Sequence, residues 1–332
     1  MLNRYLCSNF NATSLWCSSF MKRKDLVIRQ KTNIAQKLPV DLEEQLFAFQ
    51  RHVINLRKEH QFPMSCIGNM DETPMNFDMV GNKTVDSKGV KTVVIRSTGH
   101  EKARFTVVLS CMADGTKLEP MVIFKRKRKP NIRFLPGVFV HFHENGWMDA
   151  GGLRLWIDNV WKKRPGHVNN GSLLVWDSFR GQAADKITSY VKKCKIETAV
   201  IPGGLTSVLQ PLDVCLNKPF KDHMREEWNN WMVNGQKSYT AGGCMRAPPL
   251  EILCQFIINA WSKIKKETVI KSFKKCSISN ALDGTEDDEL WDSDEYEGNS
   301  DESTSDSPDE QLGSEQEASP EVVMTPATKL LS

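Results

Sequence analysis

Between residues 63 and 282, short β-branched runs alternate with amphipathic stretches, and the junctions near 71, 177 and 213 each carry an aspartate. That succession leaves few architectures open. Residues 66–70 read as a short strand ending in Asp71-Glu72. Residues 92–97, 105–113 and 120–124 are β-branched runs parted by turn signals such as Ala113-Asp114-Gly115, and are expected to be antiparallel neighbours. Residues 153–163 then repeat at helical spacing, with Leu153, Trp156, Ile157, Val160 and Trp161 inward. A buried strand over 172–176 delivers Asp177, a helix covers 185–193, and a strand covers 199–201. A long helix follows Leu212-Asp213, its stripe being Leu216, Phe220, Met224, Trp228 and Trp231. A further helix spans 250–264. Strands first, then strands alternating with helices, predict an α/β fold: a mixed sheet with helices on both faces.

Two flanking zones differ from this body. Residues 39–62 are expected to form a connector helix. Asp41 with Glu44 three residues later has capping-box spacing, and Leu42, Leu46, Phe49, Val53 and Leu56 trace one stripe, with Arg51, Arg57 and Lys58 mostly off it. Residues 1–38 are basic and read as two short helices, 14–23 and 26–36, either half of a helix-turn-helix or a basic arm with no defined target. From 283 to 332 the chain is acidic, Ser-rich and poor in large apolar residues, so a disordered tail is expected.

Charge separates the zones. Residues 1–40 hold seven Lys/Arg and one acid, residues 41–282 hold 36 and 23, and residues 283–321 hold 17 acids with no Lys or Arg. A basic body with an acidic tail suits a polyanion ligand, with the tail as a competitor for the same surface or a segment for a protein partner. Nothing approaches the ~18 apolar residues of a membrane span. The start of the chain has its basic cluster after its apolar stretch, against the order of a signal peptide. Nine cysteines without any C-x-x-C pair favour neither a disulfide framework nor a zinc site.

Strand ends gather at one edge of a sheet, so Asp71, Asp177 and Asp213 can converge although distant in sequence. Taken singly, an aspartate after a strand is more often a turn or cap residue. Taken together, crowded carboxylates repel unless cations neutralise them, and hard oxygen ligands suit Mg²⁺ or Mn²⁺. Two such ions would serve phosphodiester cleavage.

The flanking residues add a likeness. Asn69-Met70-Asp71-Glu72-Thr73-Pro74, Leu173-Leu174-Val175-Trp176-Asp177-Ser178-Phe179-Arg180-Gly181 and Ser207-Val208-Leu209-Gln210-Pro211-Leu212-Asp213 resemble, in order, the three catalytic motifs of pogo/Tigger-type DDE transposases. The resemblance covers about residues 14–280 and implies an RNase H-like fold, Mg²⁺-dependent (or Mn²⁺-dependent) DNA cleavage and joining, and a nuclear setting. It implies Asp71, Asp177 and Asp213 as catalytic metal ligands, with Glu72 in support. The run through Trp16, Phe20-Met21-Lys22-Arg23 and Leu26-Val27-Ile28-Arg29-Gln30-Lys31-Thr32 is similar to the second half of a centromere-protein-B-type DNA-binding domain, so Lys22, Arg23, Arg29 and Lys31 are expected on DNA. Gln182 stands where many relatives carry His. Glutamine hydrogen-bonds but carries no proton at neutral pH, and losing such a base lowers a rate by about 10²–10⁴-fold.

Lys125-Arg126-Lys127-Arg128-Lys129 reads as a phosphate-contacting loop or nuclear import signal, and otherwise as a solvated loop. His141 and His143 share a strand face and are expected to be ordinary packing. Trp228 and Trp231 are expected in the core. Two functions stay open: a metal-dependent endonuclease with strand transfer, and a domesticated, non-catalytic nuclear DNA- or chromatin-binding protein that keeps the fold. Homo-oligomer formation stays open as well.

Overall fold

In the computed structural model, residues 14–24, 41–80, 97–164, 171–177 and 187–286 are described. The chain separates into two units, one of residues 35–301 and one of residues 1–34 with 302–332. In the second unit α1 (Ser14–Arg23) is described, with Trp16 stacked on Phe20 at 5.1 Å between ring centroids.

Among the described residues, the larger unit is built on six strands. In chain order it holds α2 (Leu42–His60), β1 (Ile67–Asn76), β2 (Arg104–Met112), β3 (Met121–Lys125), β4 (Phe139–His143), α3 (Ala150–Asn159), β5 (Ser172–Asp177), α4 (Thr188–Lys193) and β6 (Ile196–Ile201). Then come α5 (Asn217–Asn234), α6 (Leu250–Lys263) and α7 (Lys266–Lys275). The strand order is β4-β3-β2-β1-β5-β6. β2 runs antiparallel to both β1 and β3, and the other neighbours are parallel. The carboxyl ends of β1, β3, β4, β5 and β6 therefore share one edge.

Alternation along each strand loads both faces with apolar side chains, as expected where helices cover a sheet on two sides. Ile67, Val107, Leu109, Val122 and Val175 belong to a core shared with Val53 of α2, Phe220 of α5, Ile257 of α6 and Phe273 of α7. Met70, Val108, Met112, Ile123 and Trp176 pack on the other face with Leu153, Trp156 and Ile157 of α3 and Val191 of α4. This is the mixed α/β sheet expected from the sequence. Gly68 lets the layers close: a Cβ there would stand 2.7 Å from both Met112 Sδ and the Trp161 ring, and 2.9 Å from the Cys111 carbonyl.

Several expectations shift. β1 runs on to Asn76, so Asp71 and Glu72 lie within it, because β2 pairs with it from Gly68 to Asn76. Pro74 is tolerated there, since the pairing of β1 with β5 ends at Asn69–Val175 and that flank of the strand needs no donor. Residues 92–96 lie outside the described residues. α3 begins at Ala150, three residues earlier than expected, because Asp149 caps it by accepting from the Gly152 N–H at 2.7 Å. The capping box of α2 does not form. Asp41 instead accepts from the Gln45 side chain at 2.8 Å. Arg57 is buried, not off the stripe, and its Nη1 donates to the carbonyls of Ile278 (3.0 Å) and Asn280 (2.8 Å). α7 was not expected, because its buried stripe of Val269, Ser272 and Phe273 holds only two apolar residues.

Candidate active site

Two buried amides organise the carboxyl edge. Asn69 Nδ2 donates to the Val175 carbonyl at 2.8 Å and to Gln210 Oε1 at 3.0 Å. Asn69 Oδ1 accepts from the Leu212 N–H at 3.1 Å, and Gln210 Nε2 donates to the Met70 carbonyl at 3.3 Å. Both side chains are fully buried, where an unmade hydrogen bond would be expensive. The pair thus pins β1, β5 and the segment leading into α5 together, two or three residues ahead of Asp71, Asp177 and Asp213.

Register does the rest. Asn69 pairs with Val175 on parallel strands, so two residues on, Asp71 and Asp177 stand level and on the same face. That face is the one α5 covers. Asp213 lies on the π-helical turn Leu212–Leu216, which runs directly into α5. Such wide turns push a side chain out of ordinary helical position. Asn217, the first residue of α5, joins the two acids: its Nδ2 lies 2.8 Å from Asp71 Oδ2 and 2.8 Å from Asp213 Oδ1.

Electrostatics record this crowding. Burial, then the neighbouring charge of Asp213, push the Asp71 carboxyl up to about 8, with Asp177 adding to the rise while Asn217 and the Glu72 main-chain N–H oppose it. Burial also raises Asp213, against hydrogen bonds from Asn217 and the charge of Lys221. Lys221 in turn is lowered by its burial and held up by Asp213 and Asp71. Asn217 and Lys221 were missed in the sequence. Asp213, Asn217 and Lys221 recur every four residues on one helix face, but no local pattern marks that face as the one that meets Asp71.

The donor set is that of a hard divalent cation: buried carboxylates that repel and would be relieved by positive charge. Among the described residues no three His, Cys, Asp or Glu side chains gather tightly enough to hold an ion. Asp71 and Asp213 meet through Asn217, and the charge of Asp177 reaches both.

The remaining expected residues distribute as follows. Glu72 lies on the face of β1 away from Asp71, with Met70 and Val108. Gln182, Arg29 and Lys31 lie outside the described residues. Lys22 and Arg23 are exposed in the last turn of α1. Lys125, Arg126, Lys127, Arg128 and Lys129 are all exposed; Lys125 ends β3, and through β2 the register sets Ile123 level with Pro74, so the run begins about 16 Å beyond Asp71 along the strands. They stand two strands from β1, a lateral offset of about 10 Å. Trp228 and Trp231 are in the core. Among the described residues, no helix is long and apolar enough to cross a membrane.

Comparison with known proteins gives three findings. Residues 102–273 match the model of the DDE superfamily endonuclease family. The human protein "Pogo transposable element with KRAB domain" is 37% identical over 283 residues, which is 85% of this chain and 46% of that protein. The chain thus spans about half the length of the curated relatives it matches. Among solved structures, the Mos1 mariner paired-end complex with Mn superposes with a TM-score of 0.52 at 12% identity, over 80% of this chain and 68% of that one. The paired-end complex with Mg gives 0.51 at 11% identity, over 79% and 66%. At such identity the likeness is one of fold, and that fold is RNase H-like.

Proposed function

Because the chain belongs to the DDE superfamily endonuclease family, in its pogo-type, transposase-derived branch, we propose that it is a DNA-binding, divalent-metal-dependent endonuclease acting by phosphodiester cleavage and strand transfer in the nucleus. The observation that carries this reading is the meeting of Asp71 and Asp213 at Asn217, with Asp177 level on the adjacent strand. Mg²⁺ or Mn²⁺, when bound, supplies activation of a water or 3′-hydroxyl and stabilises the leaving oxygen. The chain's own part is to hold that charge. Asp71 and Asp213, which already meet at Asn217, would be ligands with Asp177 of the adjacent strand as the third, and the amide pair of Asn69 and Gln210 fixes the strands and turn that present them. Lys125, Arg126, Lys127, Arg128 and Lys129 continue from β3 past the level of the acids, where they would grip phosphates away from the scissile position. In α1, Lys22 and Arg23 offer a second basic contact.

The test is nicking of supercoiled DNA with Mn²⁺ by the wild type and by Asp177→Ala. Loss of nicking in the variant is expected, and equal nicking by both proteins would overturn the reading. A second reading, a non-catalytic nuclear DNA- or chromatin-binding protein that keeps the fold, is favoured by Gln182, which cannot act as a proton carrier at neutral pH. It expects DNA binding by the wild type with no nicking at all.

A further inference from the structure

The geometry points to Asn217 as a further oxygen ligand of the divalent-metal site, an amide that stands between the carboxylates in the metal-free protein and turns over to coordinate when an ion enters. The inference rests on the metal-dependent reading above and adds a residue to it.

The first observation is position. One atom of Asn217 lies 2.8 Å from a carboxylate oxygen of Asp71 and 2.8 Å from one of Asp213. Oxygens bound ~2.1 Å from one octahedral Mg²⁺ sit about 3 Å apart on neighbouring vertices. The amide head therefore already occupies the spacing of a third ligand beside two carboxylates.

The second is what the head presents. Its nitrogen faces the acids, giving one N–H to each, which is the arrangement that lowers their repulsion when no cation is present. An incoming ion would meet those same hydrogens. Rotation of the amide by ~180° exchanges nitrogen for oxygen without moving the rest of the side chain.

The third observation is that the far end of the amide is unengaged. Asn217 is only 8% exposed, yet its Oδ1 is buried with no hydrogen-bond partner among the described residues. A buried amide normally has both ends satisfied. Here one end is engaged with the acids and the other is idle. Turning the head loses no bond on the idle side but sets the NH₂ in that buried place, a cost that the contact between the oxygen and the ion must offset. The π-helical turn ahead of α5 sets Asn217 one turn after Asp213, so both project from the same short stretch of backbone.

A merely positioning amide would keep its two N–H bonds when metal binds. That difference can be read without catalysis. In the full chain, with asparagine side chains ¹⁵N-labelled, addition of Mg²⁺ should move the NH₂ signal of Asn217, assigned through its loss in Asn217→Ala, as its protons leave the carboxylates. In parallel, calorimetric titration with Mn²⁺ should show affinity falling about tenfold or more in Asn217→Ala. Asn217→Asp, which supplies an oxygen in either orientation, should restore it and show a larger Mn²⁺-induced rise in melting temperature than the wild type. Asn217→Asp also covers the case in which the alanine variant fails to fold. An NH₂ signal that stays in place while Mg²⁺ binds, or Mn²⁺ affinity unchanged in Asn217→Ala, would overturn the role of Asn217 and leave the metal site standing. Wild-type protein that takes up neither ion, with or without DNA, would overturn both.

Discussion

Asp71 makes the pH behaviour of the metal-free protein readable from one side chain. Its carboxyl ionises near 3.8 when solvated and near 8 in the fold, because burial and Asp213 disfavour the charge. The folded state therefore binds the extra proton between those limits. Stability from this group is complete below pH 3.8 and is lost as pH rises through 8. Melting temperature without metal should fall from about pH 5 to pH 9, and Asp71→Asn should flatten that slope by removing the titrating group. Parallel profiles for the two proteins would refute the assignment. Mg²⁺ should also flatten the wild-type profile, since a bound cation favours the ionised carboxylates. Arg57 is the contrasting buried charge. It meets main-chain carbonyls at 2.8 and 3.0 Å and feels the charge of Glu286. Its partners are the chain just beyond α7, so Arg57→Met should loosen the docking of α2. The expected loss is about 1–3 kcal/mol in urea denaturation, with the slope of that profile against pH unchanged.

At the scale of elements, the site depends on how three segments are tied ahead of their acids. Gln210→Ala would leave the Asn69 amide and the Met70 carbonyl short of a partner in a fully buried place. We expect a loss of about 1–3 kcal/mol, read from urea denaturation. Gly68→Ala should cost about as much for a different reason, overpacking against Met112 and the Trp161 ring. If either variant denatures at the wild-type midpoint, the clamp or the close layer contact is not what holds β1 in place. The helices were the more legible elements because their signal is local. The stripe from Leu216 to Trp231 and the inward set from Leu153 to Trp161 are buried as their spacing required. Strand limits were less legible. The extent of β1 is set by β2, a partner almost thirty residues away, and no local pattern announces it. Asp71 was visible at the end of an apolar run, while Asn217 and Lys221 read as ordinary polar residues of a long helix. Their role comes from what α5 crosses, and that is tertiary information. Glu72 shows the converse: adjacent in sequence to Asp71, it faces the other side of the sheet because strands alternate.

Across the whole molecule, the charge imbalance of the sequence acquires a place. Residues 1–282 carry 43 Lys/Arg and 24 acids, and residues 283–321 carry 17 acids and no Lys or Arg. The first acids of that segment have defined partners. Glu286 pairs with Lys274 at the end of α7 and accepts from the Ala281 N–H. α7 packs on the π-helical turn that carries Asp213, and Cys276, the residue after α7, feels the charge of Asp213. Fifteen of the acids follow Glu286 in the chain, in residues 287–321. A tethered polyanion competes with DNA for the same cations, and the competition weakens as salt screens it. Cutting the chain after Glu286 keeps the Lys274 pair and removes most of the competitor. The shortened protein should bind a random duplex about tenfold more tightly at ~0.1 M salt, and its log–log salt slope should be steeper because more phosphates are neutralised. Fluorescence anisotropy across about 50–300 mM NaCl measures both. Replacing the same acids by Asn and Gln at full length should reproduce the gain, since charge and not chain length is the cause. Replacing Lys125, Arg126, Lys127, Arg128 and Lys129 by Gln in the shortened protein should take much of the gain away and flatten the slope, because those side chains form a run of five exposed cations. Equal affinities for the shortened and full-length chains at low salt would show that the acidic segment does not reach the basic surface.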